Sequence, residues 1–328
     1  MESITKNRQT PATLRAMVGR AYGADQVPTD EPDSWLAEMG HGWFNVACRI
    51  VLRDGRAVVL KIAPPRDVPV MTYERGAMRI ELESLALIAA RTDVPVPHVD
   101  HADLSHELVD ADYFFMPFID AENFGIIAGD LSTEQRDAYN QALGAANREL
   151  NSIRGGWFGP LAGPGDPSWR VVFTGIVEDV LADGAARNVD IGRDYDEVRK
   201  VLALHADVLD DVIEPRFIEW DLWDSNVMVR DGRIVTIIDH ERALYGDPLM
   251  EAGFTASQLP DFGDSTAFMA GYGHAPLTPR EQVRRRLYCL HLVLIMAIET
   301  VYRGHTTPTQ YDWALGQIDQ IMRRLTQP

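Results

Sequence analysis

The chain has 328 residues, 46% of them hydrophobic and 24% charged, which is ample for a core, long for one small domain and unlike the composition of a disordered chain. Its 49 acidic against 31 basic residues give a formal charge of −18, and this excludes a general nucleic-acid binder, because phosphate backbones select basic surfaces. Two cysteines, Cys48 and Cys289, are too few for a disulfide framework and read as buried thiols.

The first ten residues are polar, so no secretory signal is expected. The first third then reads as strands around one helix. Segments 35–39 and 44–52 flank the glycine turn Gly40-His41-Gly42, and Asp54-Gly55 turns the second segment into Ala57–Ile62, a β-rich run. Apolar residues at Met78, Leu82, Leu85 and Ala89 predict a helix over 74–90. Tyr113–Ile119 is a short apolar strand leading toward a crossover.

After about residue 120 the pattern turns helical. Ser132 with Gln135 three residues later is a capping box, opening a helix to about Leu150. Helical segments follow at 171–181 and 195–209. A hairpin interrupts them: 227–230, the turn Asp231-Gly232, then 234–238. From Leu249 onward the reading is helical, notably at 279–302 and 310–325; Leu287–Ile298 contains His291 and is too short to span a bilayer. The expected architecture is α+β in two lobes, a small strand-rich one (1–117) and a larger helical one (118–328), in a cytoplasmic protein with no membrane partner.

The chemistry concentrates in Glu219–Asn226 and Ile237–Glu241. Asp221, an asparagine five residues on, a tight hairpin and Asp239 after an apolar strand make a pattern suited to a metal and a phosphate. Magnesium takes hard oxygen ligands, which Asn226 and Asp239 supply, leaving Asp221 to orient a hydroxyl and accept its proton. Taken singly, Asp224-Ser225-Asn226 and Asp231-Gly232 are ordinary turn residues; a carboxylate directly after Ile-Val-Thr-Ile-Ile is costly unless paired or metal-bound.

Lys61, flanked by apolar strand residues, suits a phosphate-binding lysine, or else an edge-strand lysine that blunts aggregation. Glu81 is its expected carboxylate partner and Glu83 the rival. Gly40 and Gly42 offer backbone N–H groups to phosphates, although a plain turn explains them equally. The backbone of Met116 and Phe118, within 116–119, is the candidate contact for a nucleotide base. Asp261-Phe262-Gly263 spells a kinase metal motif but follows a proline far beyond the Asp221 loop, and reads as a loop.

These residues resemble the aminoglycoside phosphotransferase and choline kinase-like family, which shares the protein-kinase fold and carries H-G-D-x-x-x-x-N, a hairpin and I-D-[WF]-E. Glu219–Asn226 and Ile238–Glu241 match those motifs; 241–248, 268–272, 143–151 and Phe158-Gly159 resemble further family segments, so the likeness runs from about 35 to 275. It implies a kinase using ATP or GTP and magnesium: Asp221 the base, Asn226 and Asp239 the metal ligands, Lys61 with Glu81 the phosphate anchor. Glu219 stands where the family has histidine, which puts the loop geometry in question. The acceptor is read as an aminoglycoside-like or other cationic antibiotic, with Asp264, Glu299 and Asp312 as candidate contacts. A metabolic kinase of choline, sugar or amino-alcohol type, and a nucleotide-binding module without turnover, are the alternatives. Oligomeric state is not readable.

Overall fold

A computed structural model describes residues 3–40, 42 and 44–326. The chain forms two compact units. One comprises the chain up to Val70, Pro97–Asp120 and Tyr302–His305; the other comprises Met71–Val96, Ala121–Val301 and the chain from Thr306.

The sheet unit opens with α1 (Pro11–Tyr22), a helix that the reading of this region as strands around one helix omits. Its signals are local: the Thr10 side chain accepts from Thr13 N–H, Pro11 occupies the first turn, and Leu14, Met17 and Val18 form one buried stripe. A single turn, α2 (Pro32–Trp35), takes the start of the segment expected to be a strand, leaving β1 (Leu36–Glu38). Then come β2 (Val46–Val51), β3 (Ala57–Ile62), β4 (His101–Asp103) and β5 (Tyr113–Pro117). They form an antiparallel sheet ordered β1-β2-β3-β5-β4. Val46, Cys48 and Ile50 on β2 and Val58, Leu60 and Ile62 on β3 share a core cluster with the α1 stripe. Alternation along a strand therefore sends Val59 and Lys61 to the other face. The Asp54-Gly55 turn is as expected, with Gly55 at φ +90° and Leu52 N–H closing onto Arg56 O at 2.8 Å.

The helical unit begins with α3 (Ala77–Arg91), followed by β6 (Glu122–Asn123), α4 (Phe124–Ile127), α5 (Thr133–Leu150), α6 (Trp169–Ala186) and α7 (Tyr195–Leu204). The Ser132–Gln135 capping box is present in both directions. Next are β7 (Arg216–Ile218), β8 (Val227–Arg230), β9 (Arg233–Ile237) and β10 (Leu244–Gly246), then α8 (Thr266–Tyr272), α9 (Pro279–Tyr302) and α10 (Thr309–Thr326). Between β10 and α8 the expected helix is a series of 3₁₀ turns, Pro248–Met250, Ala252–Ser257 and Pro260–Phe262. Prolines at 248 and 260 each start a new turn there, which limits continuous helix. β7 pairs with β10, and β6, β8 and β9 form a second small sheet.

Cys48 and Cys289 are buried free thiols, and burial pushes the Cys48 thiol up to about 11, so it is not a ready nucleophile. Among the described residues, no helix is long and apolar enough to cross a membrane.

Candidate active site

The hairpin sets the geometry. Asp231 and Gly232 have φ values of +50° and +74°, both left-handed as a two-residue type I′ turn needs, and Asp and Gly adopt them at low cost. Val227 pairs with Ile237 and Met228 with Thr236, and a bulge beside Met228/Val229 shifts the register. Past the last pair, Ile238 N–H donates to Asn226 O at 2.9 Å. The hairpin thus returns the residue before Asp239 to the end of the Asp221 loop.

The loop is tied down at both ends. Asn226 Nδ2 donates to Asp221 O at 2.9 Å, and Asn123 Nδ2 donates to Ser225 O at 2.6 Å. Gly125 on α4 lies so close to Ser225 that an added Cβ would stand 2.8 Å from its backbone nitrogen, so any side chain there would push on the Asn226 turn. Asp239 has φ +70°, a conformation that aspartate tolerates better than most residues and that re-aims its side chain off the strand.

One carboxylate oxygen from each of Glu81, Asp239 and Glu241 lies within 4.8 Å of the other two. Glu81 is 2% exposed, whereas Glu83 is exposed, so Glu81 is the glutamate of that pair facing the interior. Three carboxylates this close call for positive charge nearby, and their hard oxygens suit a cation such as magnesium.

Asp221 is held from two sides. Arg242 Nη1 lies 3.1 Å from Oδ2, and Trp223 Nε1 donates to Oδ1 at 2.8 Å. Burial pushes the Asp221 carboxyl up, Arg242 pulls it back, Asp239 raises it further and Trp223 lowers it; the net direction is up. The Arg242 guanidinium stacks over Tyr73 at 5.0 Å and Trp220 at 5.1 Å, a geometry favourable for a desolvated cation. Tyr73 is positioned by its neighbour Thr72, whose N–H and hydroxyl both donate to Asp183, at 2.7 and 2.9 Å.

Glu219, the residue standing where the family has histidine, has a partner. His240 Nδ1 contacts the Glu219 carboxylate, and His240 Nε2 donates to Ile237 O at 2.9 Å. Burial, the largest single effect, lowers the imidazole pKa, but the Glu219 charge, the hydrogen bond to Glu219 and the bond to Ile237 O together outweigh it, and the net direction is up. His240 itself occupies the aromatic position of I-D-[WF]-E, so the chain departs from the family twice at residues that touch. Behind them, Glu251 Oε1 accepts from Glu219 N–H at 3.0 Å and Asn151 Nδ2 at 2.7 Å. Burial pushes the Glu251 carboxyl up to about 7.

Sequence reasoning did not single out Arg242, Trp223, Glu241, His240 or Glu251 as site residues. The adjacent departures at 219 and 240 were the visible signal for one pair. Arg242 and Trp223 carried none, since their role comes from contacts across 21 and two residues in a folded loop.

In the sheet unit, Lys61 is 8% exposed and sits on β3, paired with Ala47 on one side and Phe114 on the other. That central place rules out the edge-strand alternative. Met116 pairs with Val59. Phe118 N–H donates to Ala57 O at 3.1 Å, so a base contact by Phe118 would use its carbonyl. A Cβ at Gly40 would meet nothing within 4 Å and at Gly42 nothing closer than 3.8 Å; the fold itself does not demand glycine at either. His41 and Trp43 of that turn lie outside the described residues. In the helical unit, Asp261 of the Asp-Phe-Gly string is exposed and accepts from Gln317 Nε2 at 2.6 Å, while Phe262 stacks on Trp223.

Solved structures with similar folds include a candidate fructosamine-3-kinase from Thermobifida fusca YX-ER1, 21% identical, matched over 96% of this chain and 100% of that one with TM-score 0.67. A thermostable mutant of aminoglycoside phosphotransferase APH(4)-Ia, in ternary complex with AMP-PNP and hygromycin B, is 19% identical over 96% and 100% of the two chains, TM-score 0.67. APH(2")-IIa, in a streptomycin–ATP ternary complex, is 15% identical over 95% and 97%, TM-score 0.61. No curated protein sequence matches the chain. The architecture is the α+β protein-kinase-like fold, a strand-rich N-terminal part and a larger helical one. The chain matches the phosphotransferase enzyme family over residues 35–288, most of its length, and belongs to that family; it is a small-molecule kinase.

Proposed function

We propose that the chain moves the γ-phosphoryl of ATP or GTP onto a hydroxyl of a small acceptor, with Asp221 as catalytic base and Asn226 and Asp239 as magnesium ligands. The observation that supports this reading is the 2.9 Å bond from Ile238 N–H to Asn226 O, which sets the backbone before Asp239 beside the end of the Asp221 loop. A magnesium ion held there would offset the negative charge of the donor phosphates.

The protein's own groups account for the rest. Arg242 and Trp223 each occupy one Asp221 oxygen, fixing the carboxylate while leaving lone pairs for an acceptor O–H. Asp221 takes that proton as the acceptor oxygen bonds to phosphorus and the bond to the nucleoside diphosphate oxygen breaks. Lys61, with Glu81 as its carboxylate partner, is assigned to the donor phosphates. Gly40 and Gly42 are assigned to the same phosphates, and Met116 and Phe118 to the base. The ATP, AMP-PNP and ADP held by similar structures favour a nucleotide donor. The lobe division at 117/118 and a cytoplasmic setting belong to the same reading.

For the acceptor, an aminoglycoside-like or other cationic antibiotic is the first reading and a metabolite of choline, sugar or amino-alcohol type the second. Glu299 is 8% exposed and its charge acts on both Asp221 and Arg242, whereas Asp264 is exposed and accepts from Thr266 within its own turn. Asp312 is exposed. Incubating the protein with ATP or GTP, magnesium and a panel of hydroxylated amines, sugars and antibiotics, with product mass as readout, tests the reading. Phosphorylated product that Asp221→Asn does not form is expected; equal product from that variant would remove Asp221 from the role.

A further inference from the structure

The Asp-Phe-Gly loop, which the metal assignment leaves unused, has a place beside the proposed base. Phe262 stacks on Trp223 with ring centroids 5.5 Å apart and planes 20° from parallel. Trp313 of α10 meets Phe262 edge-on at 5.2 Å and 63°. The loop is pinned to α10 a second time through Gln317 and Asp261. All three rings are half-buried, and Trp223 Nε1 bonds Asp221 Oδ1 at 2.8 Å. A hydroxyl in hydrogen-bond reach of Asp221 stands about 3 Å from that carboxylate. The body of the acceptor that carries it must then lie against or next to the indole.

We propose that Trp223, backed by Phe262 and Trp313, is the acceptor subsite, and that it takes a ring with an apolar face, a pyranose or aryl ring, in preference to a neutral acyclic polyol. Three features favour this occupant. A flat indole offers a ring large contact area at little conformational cost. The stack behind it holds the indole in one orientation. The hydrogen bond to Asp221 fixes that orientation relative to the atom that receives the proton, so a ring lying on Trp223 presents its hydroxyls at a set distance from the base. An acyclic chain gains less from a flat face and loses more freedom on binding. The inference rests on the kinase reading, and it goes beyond that reading by naming the wall that selects the acceptor.

Calorimetric titration of the full chain, with Mg·ATP analogue bound, tests it with three probes: hygromycin B (a cationic ring compound), phenyl β-D-glucopyranoside (a neutral ring compound) and D-sorbitol (a neutral acyclic polyol, with neither a ring face nor a cation to sit on the indole). Both ring probes are expected to bind more tightly than sorbitol. Trp223→Leu should weaken them by roughly 10-fold or more and leave sorbitol within about 2-fold. Trp223→Phe keeps a ring and should restore most ring-probe binding, while lowering turnover of any ring acceptor more than its KM, because the bond to Asp221 is lost. Phe262→Leu, which does not touch Asp221, should weaken the ring probes in the same direction. Sorbitol binding as well as the ring probes, failure of both ring probes to bind, or ring-probe affinity unchanged in Trp223→Leu would each overturn the subsite. Thermal stabilisation by Mg·ATP in every variant, read in parallel, separates the two ideas: its presence with failed ring probes sinks the subsite alone, and its absence in the unmodified chain sinks the kinase reading.

Discussion

Residues 219–242 and the stretches 248–301 and 306–326 belong to one compact unit but use burial for different ends. The first segment buries charge and pairs it: Glu219 with His240, Asp221 with Arg242. The second has buried charges of its own, such as Arg284 held 3.0 Å from Asp247, but sets them in more apolar packing, as in α9, where Leu290, Val293, Leu294 and Ala297 are all buried, and it adds half-buried aromatic rings. Removing one partner of a buried ion pair strands a charge, so the first segment tolerates little change. The second can vary its rings while the core around them holds. The proposed function assigns the phosphoryl chemistry to the first segment, and the proposed acceptor wall joins Trp223 of the first segment to Phe262 and Trp313 of the second.

The comparison predicts large effects in the first segment. Asp221→Asn should lower turnover by about 10²- to 10⁴-fold while Mg·ATP still raises the melting temperature; turnover near normal in steady-state assays would break the distinction at once. Asp239→Ala should cost on the order of 10²- to 10³-fold and blunt the dependence on magnesium concentration. In the sheet unit, Lys61→Ala should weaken nucleotide use by roughly 10- to 1000-fold, and an unchanged kcat/KM for ATP would make Lys61 an ordinary strand residue.

Stability effects are smaller and sharpen the contrast. His240→Phe leaves Glu219 without its buried partner and should destabilise by about 3–5 kcal/mol in chemical denaturation. Adding Glu219→His to it, which restores the family's arrangement at both positions, should recover most of the loss; no recovery would mean that the two departures are unrelated. Glu251 gives a pH signature. It is fully buried, and its folded pKa of about 7 lies above the ordinary 4.5. The fold therefore holds this proton more tightly than the unfolded chain does. Stability from this group is full below about pH 4.5, falls as pH rises toward 7, and the penalty of ionising it persists above. Glu251→Gln should raise stability at pH 8 by about 3 kcal/mol at most, with the gain vanishing near pH 4. A gain independent of pH in thermal melts would point to packing instead.

What could be read from the sequence was local. The Asp231-Gly232 hairpin, the Ser132–Gln135 capping box, the strand carrying Lys61 and the 3.6-residue spacing of α3 all encode themselves within a few residues. The helix α1 was equally local, with Thr10, Pro11 and a Leu14-Met17-Val18 stripe, and was hidden by reading the region as strands. What was not readable depends on residues far apart in the chain. Glu251 meets the loop 32 residues upstream, Trp313 reaches Phe262 across 51 positions, and Glu81 comes to Asp239 and Glu241 only because α3 packs into the helical unit. Neither propensity nor spacing carries such contacts.

The central claim is that Asn226 and Asp239 hold one divalent ion beside Asp221. Its most direct test is an anomalous-scattering map of crystals grown with manganese and a non-hydrolysable ATP analogue. The account predicts a peak about 2.0–2.3 Å from both the Asn226 side-chain oxygen and an Asp239 carboxylate oxygen; a peak held by Glu81 and Glu241 with Asn226 out of reach, or no peak at Asp239, would contradict it.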